Sequence, residues 1–426
     1  MSAHCDALMA FLRQAVTPYH AVLEMSARLE SAGFERVDQF VAAELKPGQG
    51  YFSVRQGSSL IALRAGEGPV SEGLRIAGAH TDSPNLSVKP NPVRGRDGCV
   101  QLGVDVYGGA LLNPWFDRDL GLAGRLSVVT ASGALETPLF DSKRPVACIP
   151  SLAIHLDREA NAQRSVNAQK DIVPLVMLGE SASFDFRDWL AAELVAQHPE
   201  LSGARVLDYE LSLYDTQAPA MVGMDNDFIA SARLDNLLSC FTALTALLDS
   251  RGAGWSMLVA TDHEEVGSAS TVGAQGPMLM DALSALETDT LRNQQMRKSS
   301  WMLSVDNAHA VHPNFADRHD EQHSPRLGAG PVIKINRNQR YATTGEGSAR
   351  LKLLAERAEV PVQSFVMRSD LACGSTIGPL TATETGMDTT DIGLPTLAMH
   401  SIREWASSRD VPLMIALLSA FYQRLV

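Results

Sequence analysis

The chain has 426 residues, 45% of them apolar and 20% charged. That is enough for two globular domains with at least one large core, and it excludes a disordered or low-complexity polymer. A formal charge of −13 argues against a nucleic-acid partner, which needs a basic face, but leaves an acidic substrate open because local charge can oppose the net. Five scattered cysteines, Cys5, Cys99, Cys148, Cys240 and Cys373, lack C-x-x-C spacing and fit reduced thiols better than a disulfide framework. The apolar patch from Ala7 to Leu12 is cut by Arg13, too short for a signal-peptide core, and no run approaches a membrane span. These features predict a cytoplasmic protein without a membrane partner.

The first segment predicts two helices, Asp6 to Val16 and Ala21 to Ala32, the second closed by Gly33. Short strands follow around Tyr51 to Arg55 and Ser59 to Leu63. The run Leu74-Arg-Ile-Ala-Gly-Ala-His80-Thr-Asp82 predicts a strand ending on a histidine. A metal-bound imidazole usually donates its other N–H to a carboxylate, which is one reading of His80-x-Asp82; a capped turn with an exposed histidine is the other.

From Asn91 to about Met224 the texture changes to short β-like runs, such as Cys99 to Tyr107 and Gly124 to Val129, broken at Gly108-Gly109 and Asn113-Pro114. Phe186 to Gln197 is the long helical pattern here. The spacing predicts a β-rich module inserted in an α/β chain, between segments 1–90 and 225–426. Within it, His155 stands in a short apolar strand, Pro150 to Arg158, where a histidine is more often structural than catalytic.

After the insertion, Arg233-Leu-Asp235-Asn236 leads into an amphipathic helix that Asp235 can cap. Met257 to Ala260 is continuously apolar, as a strand buried on both faces requires, and then breaks into Asp262-His263-Glu264-Glu265. Adjacent carboxylates there oppose one another's ionisation, so the fold must supply a cation or a use for a retained base, unless the turn is simply solvated. Trp301 to Val305 predicts a third strand, ending at Asp306 with His309 and His312 close behind. Leu394 to Met399 predicts a fourth, ending at His400. The chain closes on an amphipathic helix, about Val411 to Arg424.

Strands that end in His, Asp or Glu, separated by helical patterns, predict an open and largely parallel sheet. Ligands bind such sheets at the carboxyl ends of the strands, so His80, Glu264, Glu265, Asp306 and His400 would meet in one crevice. Mixed imidazole and carboxylate donors suit catalytic Zn²⁺, Mn²⁺ or Co²⁺. Two histidines and three carboxylates exceed the set one catalytic metal takes and fit two metals with a bridging carboxylate.

Five stretches, His80-Thr-Asp82-Ser-Pro, Arg233-Leu-Asp235-Asn, Asp262-His-Glu264-Glu265-Val-Gly-Ser, Ser304-Val-Asp306-Asn-Ala-His309-Ala-Val-His312-Pro-Asn and Ala398-Met-His400-Ser, resemble the aspartyl aminopeptidases, peptidase family M18. The resemblance runs over nearly the whole chain, through Pro331-Val-Ile-Lys334-Ile-Asn-Arg337-Asn-Gln-Arg340-Tyr341. It implies a dinuclear-zinc aminopeptidase fold, a mixed and largely parallel central sheet flanked by helices, with segment 91–224 as an inserted dimerisation domain. It implies a homo-oligomer, a tetrahedral dodecamer built from dimers. His80 and Asp306 would hold one metal, Glu265 and His400 the other, and Asp235 would bridge them. Glu264 falls at the general-base position, with Asp82 behind His80. Substrates would be peptides with N-terminal Asp or Glu, whose side chain Lys334 would meet with Tyr341 near by. His309 and His312 would line that pocket, and His155 would reach a neighbouring subunit's site.

His263-Glu264 begins like H-E-x-x-H, but position 267 is Gly, which excludes a thermolysin-like site. His319 and His323 lie in a polar stretch that predicts a loop. Two other classes share parts of this pattern. A related dinuclear amidase has the metal logic without Lys334 and His155. A non-catalytic scaffold has no need of the base Glu264.

Overall fold

A computed structural model describes residues 3–424. Contacts divide the chain into two compact units, residues 1–83, 219–399 and 404–426 in one, and 84–218 with 400–403 in the other.

Among the described residues, the first unit is built on a nine-stranded sheet in the order Glu35–Arg36, Gly50–Arg55, Ser59–Arg64, Trp255–Thr261, Leu74–His80, Trp301–Val305, Asp388–Gly393, Val332–Ile335 and Gln363–Val366. The four central strands are mutually parallel. Antiparallel pairings join Trp255–Thr261 to Ser59–Arg64, Ser59–Arg64 to Gly50–Arg55, and Val332–Ile335 to Asp388–Gly393. The sheet is therefore mixed and largely parallel.

The apolar run that predicted a doubly buried strand alternates between two cores. Leu258 and Ala260 pack with the helices Ala3–Gln14, Pro18–Ser31, Leu234–Asp249, Gly345–Arg357 and Asp410–Tyr422. Met257 and Val259 pack on the other face, with Met278–Leu286 and with Met296 and Ile377 of two further helices. A strand sandwiched this way has no solvent side and so no polar alternation. The second N-terminal helix starts earlier than its apolar pattern, because Thr17 caps it by accepting the His20 amide and Pro18 fits its first turn. It stops before Gly33, which takes φ 81°. No helix among the described residues is long and apolar enough to cross a membrane.

The second unit is a seven-stranded antiparallel sheet among the described residues, centred on Asn85–Arg96, Cys99–Tyr107, Arg205–Asp215 and Leu120–Val129. Its first strand begins at Asn85, and its last long strand ends at Asp215. The helix Phe186–Gln197 starts where Asp185 accepts the amides of Arg187 and Asp188, and it buries Phe186, Leu190 and Leu194 in that unit's core. Residues 150–158 form turns and not a strand, with Leu152, Ile154 and Leu156 exposed. An isolated apolar run with no neighbouring strand has no ladder to join.

Candidate metal centre

The crossing from sheet to site is made at the carboxyl ends of the central strands. Leu74–His80 delivers His80, whose residue is 1% exposed. Its Nε2 lies 3.6 Å from Asp235 Oδ1, 3.6 Å from Asp306 Oδ1 and 3.9 Å from Glu264 Oε2. Its Nδ1 faces Asp82, 3.3 Å from Oδ1 and 3.1 Å from the carbonyl oxygen. Burial pulls the imidazole pKa down, but bonds to Asp235, Asp306 and Asp82 outweigh it and hold His80 well above its ordinary value.

Asp82 does more than orient His80. Its two carboxylate oxygens accept the amide N–H groups of Glu264 and Glu265, each at 3.1 Å. That contact sets the turn after Trp255–Thr261. There the chain reverses through His263 at φ 63° and Gly267 at φ 97°, left-handed values that a histidine adopts only when its surroundings insist. The Ser268 amide donates back to His263 O at 2.7 Å, and His263 Nδ1 pairs with Ser270 Oγ at 2.7 Å. The turn is thus closed on itself and presents both glutamates toward His80.

Asp235 follows Arg233, which also takes a left-handed conformation at φ 61°. The Arg233 guanidinium donates to Ala15 O and Leu12 O at the end of the first helix. Asp235 has extended backbone angles, φ −82° and ψ 108°, and a cis peptide bond to Asn236. Its carboxylate is directed at His80, so the capping reading of this residue gives way to the cluster. Asn236 Nδ2 donates to Val305 O, next to Asp306.

One donor atom each from His80, Asp235 and Glu265 lie within 4.8 Å of one another. Bonds of about 2.0–2.1 Å around a tetrahedral zinc put ligand atoms about 3.3 Å apart, close to the two 3.6 Å separations at His80. The donors are one imidazole and carboxylates, with no thiolate, as a catalytic divalent metal prefers. On distance and chemistry the residues fit the ion.

The other expected residues fall in different places. Lys334, 2% exposed, donates to Asp306 Oδ2 at 2.9 Å and to Asn307 O at 3.0 Å, with its Nζ 5.0 Å from the Tyr341 ring centre. His309 and His312 line a cavity of about 260 Å³ with His319, Arg318, Arg368 and Phe365. Burial, then the positive charge of Lys334, pushes His309 down to about 4. His155 is exposed in the second unit. His400 also belongs to that unit, at φ 67°, with Nδ1 3.1 Å from Gly109 O. The strand expected to end at His400 is only Pro395–Leu397, in a small separate sheet, and the central strand is Asp388–Gly393.

A family model described as the Aminopeptidase I zinc metalloprotease (M18) matches residues 11–422. The chain belongs to the M18 family. Among M18 relatives, the probable M18 family aminopeptidase 2 of Ectopseudomonas mendocina (strain ymp) is 53% identical over 417 residues, covering 97% of each chain. That of Azotobacter vinelandii is 52% identical with the same coverage. In structure, the chain resembles one in the cryo-EM structure of the Ape4 and Nbr1 complex, at TM-score 0.93 and 37% identity, covering 99% of this chain and 85% of that one. It also resembles the S. cerevisiae mApe1 dodecamer chain, at TM-score 0.84 and 26% identity, covering 99% and 96%. This M18 chain is a metal-dependent aminopeptidase, a zinc metallopeptidase by family.

Sequence reasoning missed the residues that hold this M18 site in place. Ser83 Oγ donates to Asp235 O at 2.6 Å, and Glu404 Oε2 accepts the Asp235 amide at 2.9 Å. Ser83 follows Asp82 within one of the five motifs and Glu404 lies outside all of them, but only the fold brings either to Asp235. His319 does sit in a loop, as its polar surroundings predicted, but that loop walls the cavity beside His309.

Proposed function

We propose that this M18 aminopeptidase removes N-terminal Asp or Glu from peptides, with two divalent ions, Zn²⁺ before Co²⁺ or Mn²⁺, and Glu264 as general base. The observation that carries the reading is the convergence of His80, Asp235 and Glu265 donor atoms within 4.8 Å, with Asp306 Oδ1 3.6 Å from His80. On this reading His80 and Asp306 would hold one ion and Glu265 and His400 the other, with Asp235 available to both. The motif Ala398-Met-His400-Ser carries the His400 assignment. Cations held there supply Lewis acidity toward the scissile carbonyl and a lowered pKa for water.

The chain's own groups do the rest. Asp82 fixes the His80 ring and, through two amides, the direction of Glu264. Burial pushes Glu264 up to about 7; His80 opposes that rise, and the charges of Asp306, Asp235 and Asp82 reinforce it. A base in that range takes a proton from attacking water and returns it to the leaving amine near neutral pH.

The cavity beside His309 supports acidic specificity. Its polar lining is His309, His312, His319, Arg318, Arg368 and Thr396, with no carboxylate among the lining residues. Lys334 acts electrostatically on His309 and has its ammonium held by Asp306, so a substrate carboxylate that reaches it must share that ammonium. The likeness to a chain of the mApe1 dodecamer supports a homo-oligomer, for which the inserted unit is the proposed dimerisation surface. Exposed Leu152, Ile154 and Leu156 around His155 support an interface there, with His155 serving a neighbour's site. Five free cysteines support a cytoplasmic location.

Metal analysis of purified protein beside assays on Asp-, Glu- and Leu-terminated chromogenic amides tests the reading. Two ions per subunit and faster hydrolysis of the acidic amides are expected. One ion, or a preference for Leu, overturns the corresponding part.

A further inference from the structure

We propose that Glu404 is a positioning residue for Asp235, fixing its main chain so that its carboxylate is pre-aimed at the metal centre; this rests on the reading of Asp235 as a metal ligand. Glu404 opens the strand Glu404–Ser407, which pairs antiparallel with Phe228–Ser231 so that Glu404 stands opposite Ser231. Between Ser231 and Asp235 the chain turns through left-handed Arg233. Glu404 reaches across that turn, and its Oε2 accepts the Asp235 N–H at 2.9 Å. Both residues are buried, Glu404 at 2% and Asp235 at 4% exposure.

The clamp is two-sided. On the other side of the same residue, Ser83 Oγ donates to Asp235 O at 2.6 Å. One residue on, Asn236 Nδ2 donates to Val305 O at 3.0 Å. The peptide units flanking Asp235 are thereby tied to the ends of three strands, two of which deliver His80 and Asp306. A carboxylate accepting a backbone N–H is a strong, charge-assisted bond, suited to fixing a peptide plane. A carboxylate buried close to others is costly, and a neutral amide would serve as acceptor without that cost. Retaining the acid therefore points to the strength of the bond it makes. A donor that uses it is the amide of Asp235, a residue aimed at His80.

Outer partners of metal ligands typically change metal affinity by roughly 10–100-fold when removed. The test is zinc affinity of the full-length protein, measured by competition with a chromophoric chelator, together with the melting temperature of the metal-stripped protein. Glu404→Gln, which keeps an acceptor oxygen but loses the charge, is expected to fall between the native chain and Glu404→Ala in zinc affinity. Glu404→Ala is expected to lose roughly tenfold or more while its circular dichroism stays native. Ser83→Ala, removing the opposite clamp, is expected to weaken zinc in the same direction and keeps the question open to measurement if Glu404→Ala does not fold. Native zinc affinity in folded Glu404→Ala overturns the proposal, as does a Gln variant no better than Ala. If neither Glu404→Ala nor Ser83→Ala folds, Glu404→Asp, which is one methylene shorter and withdraws the acceptor from the Asp235 amide, decides: weakened zinc affinity supports the proposal and native affinity overturns it. Asp235→Asn in the same assay separates the two layers. Unchanged affinity there removes Asp235 as a ligand, whereas weakened affinity there with native affinity in Glu404→Ala removes only the clamp.

Discussion

Asp306 divides its two oxygens between Lys334 and His80: Oδ2 accepts the Lys334 ammonium at 2.9 Å, and Oδ1 faces His80 Nε2 at 3.6 Å. A lysine at 2% exposure must be paired, and here its partner is a residue of the metal cluster. The ion pair holds one oxygen away from the metal side and leaves the other to serve it. It also lowers the cost of gathering Asp235, Asp306 and Glu264 around one imidazole.

That arrangement changes what Lys334→Met should do. Breaking a buried pair from one side typically costs about 3–5 kcal/mol, because a charge is left uncompensated. We expect kcat/KM to fall for both Asp- and Leu-terminated amides, since Asp306 is disturbed for either. If the ammonium also meets the substrate carboxylate, the Asp substrate falls further. A charge-assisted contact of about 1.5–3 kcal/mol corresponds to roughly tenfold to hundredfold. Equal losses for the two substrates assign recognition to His309 and His312 instead.

Glu264→Gln tests the general base. Glu264 Oε2 lies 3.9 Å from His80, while Glu265 belongs to the donor cluster. Amide replacement should leave metal content unchanged and reduce kcat by roughly 10²–10⁴-fold. Near-native turnover, measured with metal content confirmed, rules Glu264 out of proton transfer.

Much of this site was readable from residue order because its donors sit where apolar runs stop. Met257 to Ala260 is an unbroken hydrophobic stretch and Trp301 to Val305 is broken only by Ser304, so the polar residues after them stand out. The central strand Asp388–Gly393 was not readable for the opposite reason. It is polar yet buried, with Asp391 accepting from Ala342 N and Thr376 Oγ1, and Thr390 Oγ1 accepting from Trp301 Nε1. Internal hydrogen bonds let Thr and Asp occupy a core strand, and no local periodicity reports that. Glu404, Ser83 and the ion pair of Lys334 are similarly hidden, since each acts on a residue far away in sequence.

Asp235→Asn removes one negative charge from a donor whose oxygen faces His80 at 3.6 Å. A ligand shared by two cations is the hardest to replace with a neutral amide. Loss of at least one metal and of activity is expected, with circular dichroism unchanged. Full occupancy with full activity, by metal analysis and assay, ends the dinuclear reading.

His309 gives the chain an acid-sensitive element. Burial holds its pKa at about 4, while an unfolded histidine titrates near 6.5. Between those values the unfolded chain binds the extra proton, so stability rises with pH there. The contribution is complete above about pH 6.5 and is lost as pH falls toward about 4. From about pH 6.5 down to about 4 the melting temperature of the metal-stripped native protein should fall more steeply than that of metal-stripped His309→Gln, which lacks the titrating group. Parallel curves contradict a buried neutral His309.

His155 tests whether catalysis depends on assembly. It is exposed between exposed Ile154 and Leu156, a surface a monomer has little reason to keep. If it serves a neighbour's site, His155→Ala should be inactive while retaining its metals and its fold. Co-expression with Glu264→Gln should restore activity, because a subunit with intact Glu264 then receives His155 from its partner. Random pairing across a two-fold interface at equal expression makes roughly a quarter of the sites competent, so recovery should approach that fraction of native activity. Neither parent alone should exceed background. Mixed oligomers, verified by two different affinity tags, that show no recovery would return His155 to a role within its own subunit.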